Sequence, residues 1–271
     1  MSEPAALGTS LPPHRRGNDA RLLLTQFSYE QRSYWRNPTS AVFTFALPLA
    51  FLFIFAGSIG STRVPGLKGV KFEQYYVPAI LTYGLIAACF SNLAIVMVFR
   101  RDQGILKRVR GTPIPAWGYL GASILNSTIV SFLLAAVTIT AGVTLFHVPV
   151  PHQFLPIIVD LVVGAGAFCA LGLAVTVVIP NADAAPPMIN IVMLVLLFIS
   201  GTFFYVNPDS GLAHVANFFP IAHLVRALLA AVVPQRGVPA WQWHNLLIVA
   251  VWGLGGLVFA IRRFRWESAR T

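Results

Sequence analysis

The 271 residues are numerous enough for one or two water-soluble domains, but the composition excludes that class of protein. Hydrophobic residues make up 56% of the chain and charged residues only 10%, whereas about a quarter of a soluble domain is charged. Because so few charges cannot cover a soluble surface, we expect most of the chain to lie in lipid. The net charge of +10 then reports orientation in the membrane, and we expect no nucleic-acid partner.

Two segments precede the first apolar run. Residues 1–18 combine prolines and arginines without periodicity, which predicts a disordered cytosolic tail and does not fit a signal peptide. In residues 19–38 the aromatic and apolar side chains fall near one face of a helix and the arginines fall elsewhere. This pattern predicts an interfacial amphipathic helix on anionic membrane lipid, with a soluble amphipathic helix as the alternative.

Six later stretches are apolar enough to cross the hydrocarbon core, which takes roughly 20 residues of helix. They cover residues 40–60, 75–99, 117–146, 154–179, 188–204 and 243–261, and the fifth is somewhat short. The sequence therefore predicts an all-α polytopic membrane protein. Its six-span transmembrane domain occupies residues 39–262, and a cytosolic tail follows over residues 263–271.

Residues 211–233 are apolar but are interrupted at Phe219-Pro220, and they carry His223 and Arg226. Each half is only about ten residues long, which is typical of a re-entrant or interfacial segment and too short for a span. A backbone broken by proline at membrane depth must be sheltered by protein or by water. We therefore predict a re-entrant helical hairpin here.

The basic residues predict the orientation of the chain. With six spans, fourteen of the nineteen Lys and Arg residues fall on one side of the membrane, all of them in residues 1–39, 100–115 and 262–271. Cytoplasmic loops carry the excess of positive charge, so both termini are expected in the cytoplasm. A seventh span at residues 211–233 would place the C-terminal arginines outside. The expected location is the plasma or inner membrane, crossed several times.

Residue patterns of catalysis and metal binding do not occur in the sequence. It contains no His-Glu pair of a zinc-protease helix and no Gly-Lys-Ser/Thr of a phosphate-binding loop, and its six histidines are scattered. We therefore expect no catalytic residue, metal site or cofactor in this chain. Asp160 lies within the fourth span, where a carboxylate is costly, so a proton-relay role for it stays open.

The loop at residues 100–115 is the most distinctive stretch. Five of the nineteen Lys and Arg residues fall within positions 100–110, next to an apolar ridge of Ile105, Leu106 and Val109 at helical spacing. A Gly-Thr-Pro sequence follows at residues 111–113. This pattern predicts a short helix on the membrane surface that a cytosolic protein can grip.

Several landmarks in a fixed order resemble the permease subunit of type-2 ABC exporters, in particular the drug and lipid exporter branch. They are Arg36-Asn37-Pro38 before the first span, Pro48 within it, Gly104-x-x-Lys107-Arg108 with Thr112-Pro113, Ser200-Gly201-Thr202-Phe203-Phe204 after the fifth span, and Phe219-Pro220-Ile221-Ala222-His223-Leu224-Val225-Arg226. The resemblance covers the chain from residue 19 onward.

The resemblance implies a division of labour between subunits. A separate cytosolic ABC ATPase dimer would bind ATP and Mg, and a second permease chain, identical or paralogous, would complete the transmembrane part. The basic loop would be the coupling helix that the ATPase grips, through Arg101, Gly104, Ile105, Leu106, Lys107, Arg108 and Val109. The hairpin, with Phe219, Pro220, His223 and Arg226, would close the outer side of the pathway.

An export substrate for such a chain is expected to be an amphipathic drug-like molecule or a lipid, because the spans are rich in apolar residues and poor in charges. Helix position suggests six candidate pathway residues: Phe45, Phe90, Asn92, Asn126, Met193 and Phe203. The alternative from another class is an ion-coupled secondary carrier or an intramembrane enzyme that works without an ATPase. Asp160 would be the essential charge of such a carrier.

Overall fold

The computed structural model describes residues 19–59, 62–64, 67, 69–111, 115–151, 153–204, 206, 210–233 and 237–263. Within these ranges the chain is helical and has no β-strand, apart from one isolated bridge between Arg63 and Lys71. This confirms the all-α polytopic class. The predicted tail over residues 1–18 lies outside the described residues, as does the tail from residue 264 onward.

The helices follow one another along the chain with short connections. They are α1 (Asp19–Trp35), α2 (Pro38–Ile59), α3 (Phe72–Ile86), a π-helical segment (Ala87–Asn92), α4 (Leu93–Asp102), α5 (Ile105–Arg110), α6 (Ala116–Phe146), α7 (Phe154–Val175), α8 (Ala185–Ile199), α9 (Gly211–Ala216), α10 (Pro220–Val232) and α11 (Trp243–Arg263).

Five helical units of the described chain are long and apolar enough to cross a membrane. They lie within Ala41–Ser58, Phe72–Asp102, Trp117–Phe146, Phe154–Val175 and Trp243–Arg263. The fifth predicted span is shorter: α8 has 15 residues and stops where Gly201 adopts a left-handed backbone (φ 78°), which ends a right-handed helix.

The short α8 nevertheless reaches both ends of the bundle. Just before it, the backbone N–H of Ala182 donates to Asp102 at the end of α4. Just after it, the carbonyl of Gly201 accepts from the Tyr75 hydroxyl near the start of α3. Residues 182–201 therefore cross the bundle from the end that holds α5, called the α5 end below, to the end that holds Tyr75.

The central element is the long unit formed by α3, the π segment and α4. Nearly every side chain of α3 from Tyr75 onward is buried, because α2, α6, α7 and α10 surround it. The π segment widens the helix by one residue, a feature that often marks functional sites. Gly172 of α7 lies against it: a Cβ there would sit only 2.8 Å from the carbonyl oxygen of Phe90.

Helix α7 packs most closely on α11, through small residues. A Cβ on Gly253 would lie 2.6 Å from the Cα of Ala167, and one on Gly256 would lie 2.9 Å from Leu171. Close approach of this kind holds helices together in lipid, where the hydrophobic effect does not drive their association. The contacts advance together along both helices, so α7 and α11 run parallel.

The predicted hairpin region contains two helices separated by a break. Helix α9 ends at Ala216, and α10 begins with Pro220 in its first turn, where the missing N–H of proline costs nothing. All residues of α10 are buried except Arg226. The indole N–H of Trp252 in α11 donates to the Phe218 carbonyl at 3.0 Å and so satisfies one backbone group of the break. The re-entrant position of this pair in a membrane stays a prediction.

Candidate functional site

Arg100, near the end of α4, binds residues of α1 and α6. The guanidinium of Arg100 donates to both carboxylate oxygens of Glu30 in α1, at 2.7 Å each. It also donates to the Tyr119 hydroxyl at 3.0 Å and to the Ser123 hydroxyl at 3.3 Å, both in α6. Because Glu30 is buried, this bidentate pair is shielded from solvent and joins α1, α4 and α6.

Arg101 points the other way and is buried. Its two terminal nitrogens donate to the carbonyls of Thr176 at 2.8 Å and Ile179 at 2.7 Å, just past the end of α7. The last carbonyls of a helix have no partner within the helix, and a cation near them is favourable. Arg101 therefore caps α7. The predicted role of Arg101 in coupling to a partner protein stays a prediction.

The α5 segment begins at a sharp turn. Gly104 has φ 70°, a conformation that glycine adopts without steric cost, and the six residues of α5 follow it. Leu106 is fully buried in the core of the chain itself, while Ile105 and Val109 are partly buried. The predicted apolar ridge thus anchors α5 to the bundle.

The surface that α5 leaves outward is basic. Lys107 and Arg108 are exposed, together with Gln103 before the helix. Leu106 itself lies against the bundle of its own chain, and the predicted role of α5 in binding a partner protein stays a prediction. Residues 112–114, including Thr112 and Pro113 of the sequence motif, lie outside the described residues.

A polar cavity of about 280 Å³ lies beside this turn, between α1, α4 and α6. Its lining residues are Glu30, Ser33, Tyr34, Asn37, Asn92, Leu93, Val96, Met97, Arg100, Gln103, Ile105, Ser123, Asn126 and Ser127. Two of the predicted pathway residues, Asn92 and Asn126, therefore share one cavity. Asn126 is only 7% exposed, and its Oδ1 has no hydrogen-bond partner among the described residues.

The other predicted pathway residues lie elsewhere. Phe90 and Met193 line an apolar groove of about 300 Å³ between the π segment, α7, α8, α10 and α11. Met193 and Asn92 also line a third cavity, of about 310 Å³, between α2, the π segment and α8. Phe45 stacks on Trp35 of α1 at 6.1 Å between ring centroids. The six residues thus do not form a single site.

Phe203 belongs to an aromatic cluster at the Tyr75 end. Its ring contacts the rings of Phe51, Phe55, Tyr83 and Phe198 at centroid distances of 5.1–5.9 Å. Tyr75 and Tyr76 hold the chain segment after α8 against α3: their hydroxyls donate to the carbonyls of Gly201 and Phe203. Neither tyrosine was among the predicted functional residues, although two adjacent tyrosines at the start of an apolar helix are a visible signal in the sequence.

His223 of the hairpin is buried between two oxygen atoms. Its Nδ1 lies 2.7 Å from Oδ1 of Asn245 in α11, and its Nε2 lies 2.9 Å from the carbonyl of Asn217 in the break between α9 and α10. The exposed Arg226 donates to the side chain of the same Asn217. Neither Asn217 nor Asn245 was among the predicted residues, and no sequence spacing connects them with His223. Phe219 and Pro220 border the apolar groove.

The remaining titratable group of interest is Asp160 of α7. It is buried, its Oδ2 lacks a partner in the described part of the chain, and it lines none of the three cavities. Within the described ranges, no three His, Cys, Asp or Glu side chains come together to hold a metal ion.

Comparison with known proteins connects this architecture with a family. The model of the ABC-2 type transporter family matches residues 21–233, which run from the first turn of α1 to the end of α10. The putative transport permease YvfS of Bacillus subtilis strain 168 is 24% identical over 231 residues, covering 84% of this chain and 91% of the relative. The inner membrane transport permease YadH of Escherichia coli K12 is 22% identical over 214 residues, covering 76% and 80%.

The matched range includes the α4–α5 turn, the polar cavity and the hairpin, and α11 lies outside it. This chain belongs to the ABC-2 type transporter family and is a membrane permease of an ABC transporter.

Proposed function

We propose that the chain is the membrane-spanning subunit of an ATP-driven exporter. It moves an amphipathic drug-like molecule or lipid out of the cytoplasm or the inner leaflet, and a separate ABC ATPase dimer, which binds ATP and Mg, supplies the energy. The observation that carries the proposal is the way α5 is built into the bundle. Its outward face is basic, and its inward face is anchored through the buried Leu106.

The contacts around α5 give a physical route for motion. A force on α5 reaches α4 across a two-residue turn, and the residues that end α4 bond to other elements. Arg100 connects to α1 and α6, Arg101 to the end of α7, and Asp102 to the loop before α8. Any displacement of α5 by a partner is therefore shared by five helices. The exposed Lys107 and Arg108 suit a partner surface that carries acidic groups.

The arrangement of helix ends supports a cytoplasmic position for the α5 end. Helix α11 runs parallel to α7, so Arg262 and Arg263 at its last turn lie at the end of the bundle where Arg101 caps α7. Helix α1 lies at the same end, through Glu30. The basic segments of the chain thus gather on one side, which the positive-inside rule assigns to the cytoplasm.

The cavities suit a substrate with an apolar body. The groove beside Phe90 and Met193 is wholly lined by apolar residues and opens between helices, as a path for an alkyl or aromatic group requires. Large apolar side chains on α2 and α8, such as Phe43, Ile191 and Leu194, are exposed on the single chain. In the assembly, we infer that lipid and a second permease chain, identical or paralogous, contact these side chains.

Reconstitution tests the proposal directly. Proteoliposomes containing the permease, with and without a co-purified ABC ATPase, are loaded with a fluorescent amphipathic dye, and ATP-dependent movement of the dye is measured. We expect movement only when both the ATPase and ATP are present. Transport that needs no ATPase and is lost in Asp160→Asn would instead establish the ion-coupled carrier.

A further inference from the structure

The cavity between α1, α4 and α6 has a polar wall without net charge. Among the described residues, Glu30 and Arg100 are the charged ones that line it. Arg100 donates two hydrogen bonds of 2.7 Å to the carboxylate of Glu30, and hydroxyls of α6 make further hydrogen bonds with both side chains. An ion pair satisfied in this way attracts neither an anion nor a cation strongly. This wall therefore distinguishes ligands by the hydrogen bonds that they make and not by their net charge.

On that wall, Asn126 contributes a hydrogen-bond acceptor that has no donor among the described residues. Its side chain is more than nine-tenths buried and lines the cavity, and its Oδ1 is shielded from solvent and accepts no hydrogen bond from any described residue. Rotation of the amide about the Cβ–Cγ bond, a soft torsion in asparagine, turns Oδ1 toward the cavity. A buried acceptor without a donor is unfavourable, so a group that brings an N–H or O–H into the cavity is stabilised there. Asn92, on the π segment, adds a half-buried amide to the same cavity.

Part of the cavity lining is apolar. Leu93, Val96 and Met97 of α4 contribute side chains, and Ile105 adds the first residue of α5. The volume of about 280 Å³ is at the lower limit for small-molecule pockets, which suits a single head group better than a whole drug-sized molecule. A ligand that fits is therefore polar at one end and apolar at the other.

We propose that this cavity binds the uncharged polar head group of an amphipathic molecule, with a hydroxyl or amide of the head group donating to Oδ1 of Asn126. The alkyl part leaves along the Leu93–Met97 side. Identification of this ligand with the exported molecule rests on the proposed function, whereas binding itself does not. Because Gln103 lies in the α4–α5 turn and Ile105 begins α5, a ligand in the cavity contacts the same segment that a partner protein would bind.

The test compares three probes that share an octyl chain and differ in the head group: octyl glucoside, octyltrimethylammonium and octyl sulphate. The full-length chain is placed in phosphatidylcholine nanodiscs without any ATPase, and binding is followed by the rise in melting temperature at probe concentrations below those that solubilise the bilayer. We expect octyl glucoside to bind at least tenfold more tightly than either charged probe. Equal binding of the three probes would overturn the proposal.

Substitutions at one position sharpen the test. Asn126→Leu removes the acceptor, keeps the branched shape of the side chain and is expected to weaken octyl glucoside binding at least tenfold. Asn126→Asp places a carboxylate there and should shift the preference to octyltrimethylammonium. The matched control is Thr138→Val, because Thr138 is also buried without a partner among the described residues on α6 but lies about 18 Å along the helix.

The outcomes separate the two proposals. If Asn126→Leu has a much lower melting temperature than the wild type in the absence of any probe, its binding result is not used. The probe preference of Asn126→Asp then decides whether the cavity binds the head group. Unchanged affinity and preference in the folded variants would mean that water alone occupies the cavity, and the binding proposal would be wrong. ATP-dependent export is not part of this measurement, so its presence or absence leaves the binding result intact.

Discussion

The guanidinium of Arg100 donates two parallel hydrogen bonds of 2.7 Å to the carboxylate of Glu30, although the two residues are seventy positions apart in the sequence. The pair fixes α1 on the end of α4, next to the turn that leads into α5. Geometry of this kind makes an arginine–carboxylate pair specific as well as strong. Any partner that moves α5 therefore also moves α1.

The first prediction concerns this pair. Glu30→Gln and Arg100→Met should each destabilise the chain by about 3 kcal/mol, because each leaves one charge or polar group buried without its partner. The double variant should lose much less than the sum of the single losses. Thermal unfolding in nanodiscs measures all three. Additive losses would mean that the two side chains do not interact in the folded protein.

The second prediction separates anchoring from partner binding on α5. Leu106→Asp places a charge in the core and should lower the stability of the permease by several kcal/mol, about the cost of an unpaired buried charge. Lys107→Glu changes an exposed residue and should leave the melting temperature within about 2 °C while weakening association with the ATPase.

Thermal unfolding and co-purification, performed on the same two variants, decide this point. A Leu106→Asp protein as stable as the wild type would contradict the buried position of Leu106. If the ATPase co-purifies undiminished with Lys107→Glu and with Arg108→Glu, the basic face of α5 is not part of the interface with the ATPase.

The third prediction uses two glycines of α7. Gly172→Ala should destabilise the chain by about 1–3 kcal/mol, because its Cβ would lie 2.8 Å from the Phe90 carbonyl and the π segment would have to shift. Gly166→Ala is the control, since a Cβ there meets no atom within 4 Å and alanine favours the helix. Melting temperatures compare the two. Similar losses in both variants would exclude a close approach at Gly172.

The fourth prediction concerns the hairpin. His223→Leu removes both contacts of the imidazole, with Oδ1 of Asn245 and with the carbonyl of Asn217, at a cost of about 1–3 kcal/mol for a buried group left unpaired. Hydrogen exchange should therefore become faster in α10 and at the start of α11, but not in α6. His214→Leu, on the exposed side of α9, serves as the control. Unchanged exchange in α10 would rule out the anchoring role of His223.

The class of the protein and the places of most helices follow from the sequence alone. Apolar runs of about twenty residues have to be helical in lipid, because every backbone group must then find its partner within the segment. That constraint is local, so the helices at residues 117–146 and 243–261 could be located without knowledge of their neighbours. The break at Phe219-Pro220 was predictable for the same reason, since proline acts on its own helix.

The partners of the polar side chains were decided only by tertiary structure. Arg100, Arg101 and Lys107 look alike in the sequence, yet the first pairs with a carboxylate, the second caps a helix and the third is exposed. Which of these an arginine or lysine does depends on segments that are distant in the sequence and meet only when the helices pack. The same holds for Leu106, whose burial no local pattern distinguishes from exposure to a partner protein.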